Sequence, residues 1–401
     1  MDPLSRAHAE ALDAADPLAA FRERFVIADE RRIYLDGNSL GRLPVATRER
    51  LAALTEQWGA ELVGGWHEWI DVPVRAGAAI AGVIGAREHE VLACDSVTVN
   101  LYKLAMAAHR GGALLTDRGN FPTDRYVLEG IAQERGAELR IFDGDIPWEG
   151  AGLLVLSHVD YRSGALLDLP AITSEARERG VPLIWDLSHS AGAVAIDLHD
   201  AGAELAVGCT YKYLNAGPGA PAFLYVAEHL HAQLRSPIWG WFGQSDQFAM
   251  ERDYEPDPTV RRFLAGTPGI LGMVAVEEGA VLTAKAGLPA IRAKSCAQTD
   301  LLIALADARL APLGFTVASP RDAAARGSHV SLRHPEAWPI TRALIALEDV
   351  VPDFRGPDSV RLGIAPLYTR FIDVWDAVDR LQALVERGDH QQIGVARGRI
   401  T

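Results

Sequence analysis

Short apolar runs alternate with segments of helical periodicity through the middle of the chain, and this rhythm restricts the fold more than any other sequence feature. Such short runs, bounded by polar residues, are typical of strands buried on both faces. Between them, residues 124–139 and 169–180 have apolar side chains at helical spacing and a polar outer face. Strand, helix and strand in this order predict a mostly parallel sheet covered on both sides. The predicted strands are residues 112–117, 152–159, 181–188, 204–210 and 221–227.

The pattern changes after about residue 270, where longer helices are separated by short strands. Helical periodicity covers residues 271–287 and 373–387, and short strands are predicted within residues 314–319 and 327–334. This change predicts a smaller C-terminal α+β domain. We expect an N-terminal segment (residues 1–45) that packs with the small domain, a large domain (residues 46–274) and the small domain itself (residues 275–401).

Composition excludes several classes of protein. The 401 residues carry a formal net charge of −14, which disfavours binding to a nucleic-acid backbone. No apolar run reaches the length of about eighteen residues that a membrane helix requires, and acids and prolines interrupt the N-terminal segment where a signal peptide would be apolar. Cys94, Cys209 and Cys296 lie far apart, without the spacing of a metal site or a disulfide framework. We therefore expect a soluble, cytoplasmic protein that binds no nucleic acid, membrane or metal.

The apolar run of the predicted strand 181–188 ends directly in Asp186, and His189 lies three residues further along. In open parallel sheets, ligands bind beyond the carboxyl ends of the strands. A carboxylate at the end of a buried strand is costly to desolvate unless it has a cationic partner, and a protonated pyridine nitrogen is such a partner. A helix cap or a carboxylate paired with an arginine remains the alternative for Asp186.

Lys212 follows the predicted strand 204–210 and lies between Tyr211 and Tyr213, before a glycine-rich turn. It is one of only four lysines, and the others lie within helical segments. An amine at the end of a buried strand loses hydration, which favours its neutral, nucleophilic form. An ordinary lysine that extends to solvent is the alternative; if the protein uses an amine in catalysis, Lys212 is the candidate.

Two further motifs lie at predicted element ends. The polar pair before Val97 and Thr98 opens a helix whose first N–H groups are suited to an anion such as phosphate, although many helices begin this way. Phe121, after the strand 112–117, is an aromatic ring that can stack on a flat cofactor, or equally a core residue before a helix cap.

Together these groups supply a phosphate cradle, a stacking ring, a partner for a pyridine nitrogen and an amine, in this chain order. The order resembles that of fold-type I enzymes, which depend on pyridoxal 5′-phosphate (PLP) and bind it covalently through a lysine. More closely, the chain resembles the kynureninase family, of bacterial type. The motifs that carry the resemblance, between residues 34 and 368, are YLDGNSLGRLP, DSVTVNLYKL, NFPTDRY, VLSHVDYRSG, WDLSHSAG, YKYLNAGPG, GWFGQ and VRLGIAPLY.

The resemblance implies an α/β fold of the class-V aminotransferase-like group, with a mostly parallel seven-stranded sheet in the large domain. It implies PLP as the cofactor and Lys212, Tyr211 and Asp186 as catalytic residues. The residues that it assigns to the cofactor are Val97, Thr98, Phe121, Pro122, Thr123, Asp124, Ser157, Asp186, His189, Tyr211, Lys212, Trp241 and Thr267. Those that it assigns to the substrate are Asn38, Ser39, Trp66 and Arg361, with Arg361 clamping the α-carboxylate.

The resemblance also implies a reaction and an assembly. The reaction is hydrolysis of the Cβ–Cγ bond of L-kynurenine to anthranilate and L-alanine, a step of tryptophan catabolism, and the assembly is a homodimer with its site at the subunit interface. Thr267 stands where animal members of the family have Asn, and GGWHEW (residues 64–69) stands where they have a His. Both positions concern the aromatic end of the substrate, so we expect kynurenine to be preferred over 3-hydroxykynurenine.

Other functions on this fold stay open at this point. An aminotransferase or a cysteine desulfurase is one alternative, although a desulfurase needs a mobile nucleophilic cysteine and Cys296 lies in a helical segment with no cysteine after it. A non-catalytic binding module is another, and the presence of Lys212, Asp186 and Arg361 counts against it.

Overall fold

The structure, a computed structural model, describes residues 2–250 and 253–393. Its α-helices are α1 (Arg6–Ala14), α2 (Val45–Glu61), α3 (Trp66–Trp69), α4 (Val72–Ile84), α5 (Val97–Ala108), α6 (Pro122–Arg135), α7 (Leu169–Glu178), α8 (Ile270–Ala286), α9 (Leu288–Leu305), α10 (Ala337–Leu347) and α11 (Phe371–Arg387). Its strands are β1 (Ile33–Tyr34), β2 (Val91–Ala93), β3 (Ala113–Asp117), β4 (Leu139–Phe142), β5 (Ala151–Ser157), β6 (Leu183–Asp186), β7 (Leu205–Gly208), β8 (Phe223–Val226), β9 (Thr316–Val317), β10 (His329–Arg333), β11 (Val350–Val351), β12 (Asp353–Arg355) and β13 (Ser359–Gly363).

The chain divides into two compact units. We call residues 46–160 and 167–285 the large unit, and residues 1–45, 161–166 and 286–401 the small unit. The domain boundaries expected from the sequence, after residues 45 and 274, stay predictions. Among the helices of the described ranges, none is both long and apolar enough to cross a membrane.

The large unit contains a seven-stranded sheet in the order β2-β8-β7-β6-β5-β3-β4. Strands β7, β6, β5, β3 and β4 pair in parallel, and β8 runs antiparallel to both of its neighbours. This confirms the mostly parallel seven-stranded sheet and the α/β fold class. The five strands predicted from the sequence are present. They were recognisable because they form the buried centre of the sheet and are therefore apolar along their length.

Strands β2 and β4, at the two edges of the sheet, were not among the strands read from the sequence. Strand β2 has three residues, too few to show a pattern. The residues of β4 are half-buried or exposed, so they form no continuous apolar run. Their pairing with β8 and β3 is decided by neighbours distant in sequence.

Helix α5 packs on the faces of β6, β7 and β8. Its N-cap is Ser96, whose hydroxyl accepts a hydrogen bond from the N–H of Val99 at 3.3 Å. The first residues of the helix lie beside the ends of β6 and β7, because they line the same pocket. This placement directs its first-turn N–H groups toward the site described below.

The small unit contains a four-stranded antiparallel sheet in the order β12-β13-β10-β9, with helices α9, α10 and α11. The N-terminal segment belongs to this unit: β1 pairs in parallel with β11, and α1 packs on α11. The carboxylate of Asp13 accepts hydrogen bonds from the N–H groups of Phe371 and Ile372 at 2.7 and 2.9 Å. A negative charge at the start of α11 is favourable because the N-terminus of a helix is partially positive.

Candidate active site

A pocket of about 230 Å³ lies in the large unit. It forms where β6 and β7 end and α5 and α6 begin. Nine of the predicted cofactor residues line it: Val97, Thr98, Phe121, Thr123, Asp124, Asp186, His189, Tyr211 and Lys212. Six more lining residues were not among the predicted site residues: Asp95, Ser96, Ser188, Gly219, Ala220 and Ala222.

One wall of the pocket is the start of α5. The N–H groups of Val99 and Asn100 are bonded to the side chain and carbonyl of Ser96, at 3.3 and 2.9 Å. The N–H groups of Val97 and Thr98, in the first turn, have no acceptor within the helix. They and the Thr98 hydroxyl form a set of donors suited to an anion.

Two buried carboxylates, Asp186 and Asp124, face the pocket. Asp186 accepts hydrogen bonds from the N–H and hydroxyl of Ser188, at 2.8 and 2.5 Å. Asp124 lies in the first turn of α6 and accepts no hydrogen bond from the described residues. Burial, reinforced by the charge of Asp186, raises the pKa of Asp124 well above its ordinary value. A cation bound in the pocket, next to these two groups, is favoured electrostatically.

Lys212 reaches into the pocket from the turn after β7. Its Nζ lies 3.3 Å from Nε2 of His189 and 5.9 Å from the ring centres of Phe121 and Tyr211. Helix α8 packs closely behind this turn, because a methyl group at Gly279 would lie 2.0 Å from the carbonyl oxygen of Leu214. The amine is therefore carried on a turn that neighbouring elements hold in place.

Tyr211 lies half-buried beside Lys212. The neighbouring Cys209 and burial together raise the pKa of its hydroxyl above the ordinary value. The phenol is therefore protonated at neutral pH and available as a proton donor. Cys209 itself is buried, and burial raises the pKa of its thiol.

Four predicted cofactor residues lie outside the pocket lining. Pro122 is the first residue of α6. Ser157 ends β5 and donates a hydrogen bond to Oδ1 of Asn120 at 2.6 Å, and the same oxygen accepts from the N–H of Phe121 at 2.8 Å. Trp241 is 41% exposed and packs edge-on against Phe242.

Thr267, the fourth of these residues, is exposed in the segment before α8. The structure therefore places nine of the thirteen predicted residues in one pocket, and Ser157 directly behind it.

Three predicted substrate residues lie together in the small unit. Arg361, on β13, is fully buried and forms a two-bond ion pair with Asp353, with Nε 2.9 Å from Oδ1. Its Nη2 also donates to the hydroxyl of Ser39 at 3.1 Å, and Nη1 donates to the carbonyl of Tyr161. With its amide oxygen facing the guanidinium, Asn38 accepts from Nε at 2.8 Å.

Trp66, the fourth predicted substrate residue, lies in the large unit and lines a different, apolar hollow. Its ring lies 5.8 Å from that of Trp69 and 6.0 Å from that of Phe242. The adjacent His67 is exposed. Of these two neighbours, Trp66 is thus the one that contacts other aromatic rings.

The lining residues that sequence reasoning missed had weak local signals. Ser188 is two residues beyond Asp186, the spacing at which an Asp side chain commonly accepts a backbone N–H in an Asx-turn. Asp95 precedes the helix cap and has a φ of +45°, which the sequence does not reveal. In the described part of the chain, no group of three or more His, Cys, Asp or Glu side chains is arranged to hold a metal ion.

Comparisons with solved structures find the same fold in other proteins. The chain is similar to the apo structure of a cysteine desulfurase from Thermococcus onnurineus NA1, with a TM-score of 0.78 and 18% identity over 92% of this chain and 98% of that one. It is also similar to the cysteine desulfurase CsdA from Escherichia coli, with a TM-score of 0.73 and 18% identity over 92% and 98%. At this identity the likeness concerns the fold alone.

Comparisons of sequence are more specific. Residues 291–381 match the family described as "Kynureninase C-terminal domain". The chain is 44% identical over 395 residues to a protein of Pseudomonas fluorescens named kynureninase, covering 94% of each chain. It is 42% identical over 400 residues to a protein of the same name from Burkholderia mallei (strain SAVP1), covering 95% of this chain and 96% of that one. The chain belongs to the kynureninase family.

Proposed function

We propose that this protein hydrolyses the Cβ–Cγ bond of L-kynurenine, using PLP as its cofactor, and releases anthranilate and L-alanine. The observation that carries the proposal is the meeting of Lys212, Asp186 and the α5 N-terminus in one pocket of a chain 44% identical to a kynureninase over 94% of its length. The cysteine desulfurase alternative is not favoured. Cys94 and Cys209 are buried, and Cys296 lies within α9 rather than on a mobile segment.

The pocket fits PLP in charge and in donors. A cation beside the buried pair Asp124 and Asp186 offsets the repulsion between the two carboxyl groups, and a protonated pyridine nitrogen is such a cation. In this proposal Asp186 pairs with that nitrogen, and Val97 and Thr98 bind the phosphate. Phe121 stacks on the ring, and Lys212 is the covalent anchor.

The remaining predicted cofactor residues complete this proposal. His189, Thr123 and Tyr211 line the same pocket, whereas Ser157 and Pro122 support the turn that carries Phe121. From the resemblance, Trp241 is assigned to the cofactor phosphate, through the dimer described below. Thr267 is assigned to the cofactor, at the position that concerns the aromatic end of the substrate.

When bound, PLP supplies an electron sink for the bond that breaks. The side chains of this chain then have separate tasks. Lys212 takes the proton from Cα of the substrate and returns it later, as base and acid. Water adds to the γ-carbonyl, the Cβ–Cγ bond breaks, and the aromatic acid leaves. In this proposal Tyr211, protonated at neutral pH, donates a proton during this cleavage.

Arg361 is the proposed site for the α-carboxylate of the substrate. Asp353 holds one side of the guanidinium through two hydrogen bonds, which orients the fork. Nη1 keeps one N–H beyond its bond to Tyr161, and Nη2 can exchange its bond to Ser39 for a carboxylate oxygen. In this proposal Ser39 and Asn38 help to orient the Arg361 guanidinium for the substrate. Trp66 faces the aromatic ring of the substrate.

We further propose a homodimer whose active site includes residues of both subunits. Several large apolar side chains of the large unit are exposed in a single chain: Trp58, Leu62, Val63, Trp239, Trp241, Phe248, Met250 and Leu271. Exposed apolar groups of this size are typical of protein–protein interfaces. The free state of all three cysteines accords with a reducing compartment, and we place the protein in the cytoplasm.

The decisive test is to incubate the purified protein with PLP and L-kynurenine and to measure anthranilate and alanine. We expect both products in equal amounts, and a lower rate with 3-hydroxykynurenine. The control is Lys212→Ala, prepared in the same way. A protein that binds PLP but releases neither product would refute the proposed reaction, and pyruvate or sulfide formation from other amino acids would point to another enzyme on this fold.

A further inference from the structure

Lys103 is a buried cation that the proposed reaction does not use. It lies on α5, five residues after Thr98 of the pocket lining, and its side chain has no exposed surface. Its Nζ donates to Oδ2 of Asp95 at 2.7 Å, to the carbonyl oxygen of Phe263 at 2.7 Å and to Sγ of Cys94 at 3.5 Å. A lysine without solvent contact is costly unless its charge is compensated.

Asp95 is the group that compensates this charge. Burial raises the pKa of the Cys94 thiol to about 11, so the thiol stays neutral, and the Phe263 carbonyl carries no net charge. Among the described residues, Asp95 is therefore the one anionic partner that Lys103 contacts. The Asp95 side chain is 32% exposed, and the residue lines the pocket.

Asp95 is also held in a demanding backbone position. Its φ of +45° lies in the left-handed region, which residues other than glycine seldom adopt. Its carbonyl accepts the N–H of Ala222 at 2.9 Å, and Ala222 lines the same pocket. Asp95 is followed directly by the Ser96 cap and by Val97 and Thr98. The conformation of Asp95 therefore directs the N–H groups proposed to bind phosphate.

The charge of Asp95 conflicts with that role. A carboxylate two or three residues from the phosphate donors repels a phosphate dianion. The pairing with Lys103 neutralises the carboxylate and at the same time anchors it to α5 and to the segment at Phe263.

We propose that Lys103 is a positioning residue of the cofactor phosphate site: by pairing with Asp95 it neutralises a carboxylate that otherwise repels the phosphate at the Val97 and Thr98 N–H groups. The proposal rests on the assignment of this pocket to PLP. It predicts that Lys103 matters for the phosphate of the cofactor and not for its ring.

The test compares PLP with pyridoxal, which lacks the phosphate. Both are titrated into the full-length apoenzyme, and their dissociation constants are measured from cofactor absorbance. In Lys103→Met we expect PLP to bind about tenfold or more weakly, because a repulsive charge is unmasked, with pyridoxal changed by less than about threefold. The matched control is Lys285→Met, which removes an exposed lysine of the same unit and should alter neither constant.

A double variant separates charge from packing. Lys103→Met combined with Asp95→Asn removes both charges, and we expect it to recover most of the preference for PLP over pyridoxal. A parallel loss of both ligands in Lys103→Met, an unchanged PLP constant, or a double variant as poor as the single one would overturn the proposal.

Asp95→Asn alone keeps the proposal testable if Lys103→Met does not fold. It retains the cation, so we expect an equal or greater preference for PLP, and a lost preference would overturn the proposal. These outcomes are independent of kynurenine turnover: a wild-type protein that binds PLP but does not cleave kynurenine refutes the proposed reaction and leaves the role of Lys103 to be decided by the binding constants.

Discussion

The Nζ of Lys212 lies 3.3 Å from Nε2 of His189, a residue 23 positions earlier in the chain. The two side chains come from the turns that follow β7 and β6, which are neighbours in the sheet. The same edge holds Asp186 and the ring of Phe121. The amine is thus fixed among groups suited to a flat, charged cofactor, and this arrangement leads to the first two of the predictions below.

Replacing Lys212 with Ala should abolish kynurenine cleavage. The variant loses both the covalent anchor and the group proposed to move the Cα proton, which together account for a fall of at least about 10⁴-fold. Turnover is measured as anthranilate release, and the bound cofactor by its absorbance. Lys285→Ala, at an exposed lysine, is the control and should retain normal turnover. Substantial turnover by Lys212→Ala would show that another group acts as the base.

Replacing Tyr211 with Phe should slow turnover far more than it weakens PLP binding. The ring that lines the pocket is retained, whereas the hydroxyl, protonated because its pKa is raised, is lost. Removal of a proton donor costs about 10²- to 10⁴-fold in rate. Tyr213→Phe, at the buried tyrosine next in the chain, is the comparison. Near-normal turnover by Tyr211→Phe would exclude the proposed role.

Replacing Arg361 with Lys should raise KM for kynurenine about tenfold or more and affect kcat less. Lysine keeps the positive charge, but its single amine cannot form two hydrogen bonds with Asp353 and at the same time bind a substrate carboxylate through further N–H groups. Steady-state kinetics measure the effect, and Arg333→Lys, at an exposed arginine of the same small sheet, is the control. An unchanged KM would mean that the substrate carboxylate binds elsewhere.

The pH dependence of stability should contain a contribution from Asp36. Burial, with the nearby charge of Asp353, raises its pKa to about 7 from an ordinary value of 3.8. The folded state then binds more protons than the unfolded state between these two values, so stability falls as pH rises through about 4 to 7. The effect is at most about 4 kcal/mol.

Asp36→Asn removes this titration. We expect the variant to gain stability relative to the wild type as the pH rises from about 4 to 7. Urea unfolding of both apoproteins at several pH values measures the difference. A constant difference across this range would contradict the raised pKa.

The sequence alone predicted those features that depend only on residues close together in the chain. The buried strands β5, β6 and β7 are continuous apolar runs, so their positions and their parallel order follow from hydrophobic patterning. Because parallel strands end at one edge, the residues after them, including Asp186 and Lys212, are expected to converge there. The start of α5 at Ser96 follows from the capping preference of serine.

Other features depend on contacts between residues far apart in the chain. The edge strands β2 and β4 form through pairing, not through their own composition. The left-handed turn at Asp95 is held by Lys103 and by Ala222, 127 residues further along. The position of Arg361 likewise depends on Asp353, Ser39 and Tyr161, from three separate segments.

The amino-acid sequence by itself therefore determined the central strands of the sheet and the lysine at its carboxyl edge, because hydrophobic periodicity and strand-end chemistry are local properties. Its motifs carried the resemblance to the family. Only the tertiary structure decided which charges pair in the interior. Lys103 reads as an ordinary helix residue until folding removes its water and leaves Asp95 as its charged partner. The energy of a buried charge depends on every group around it, and those groups become neighbours only in the folded chain.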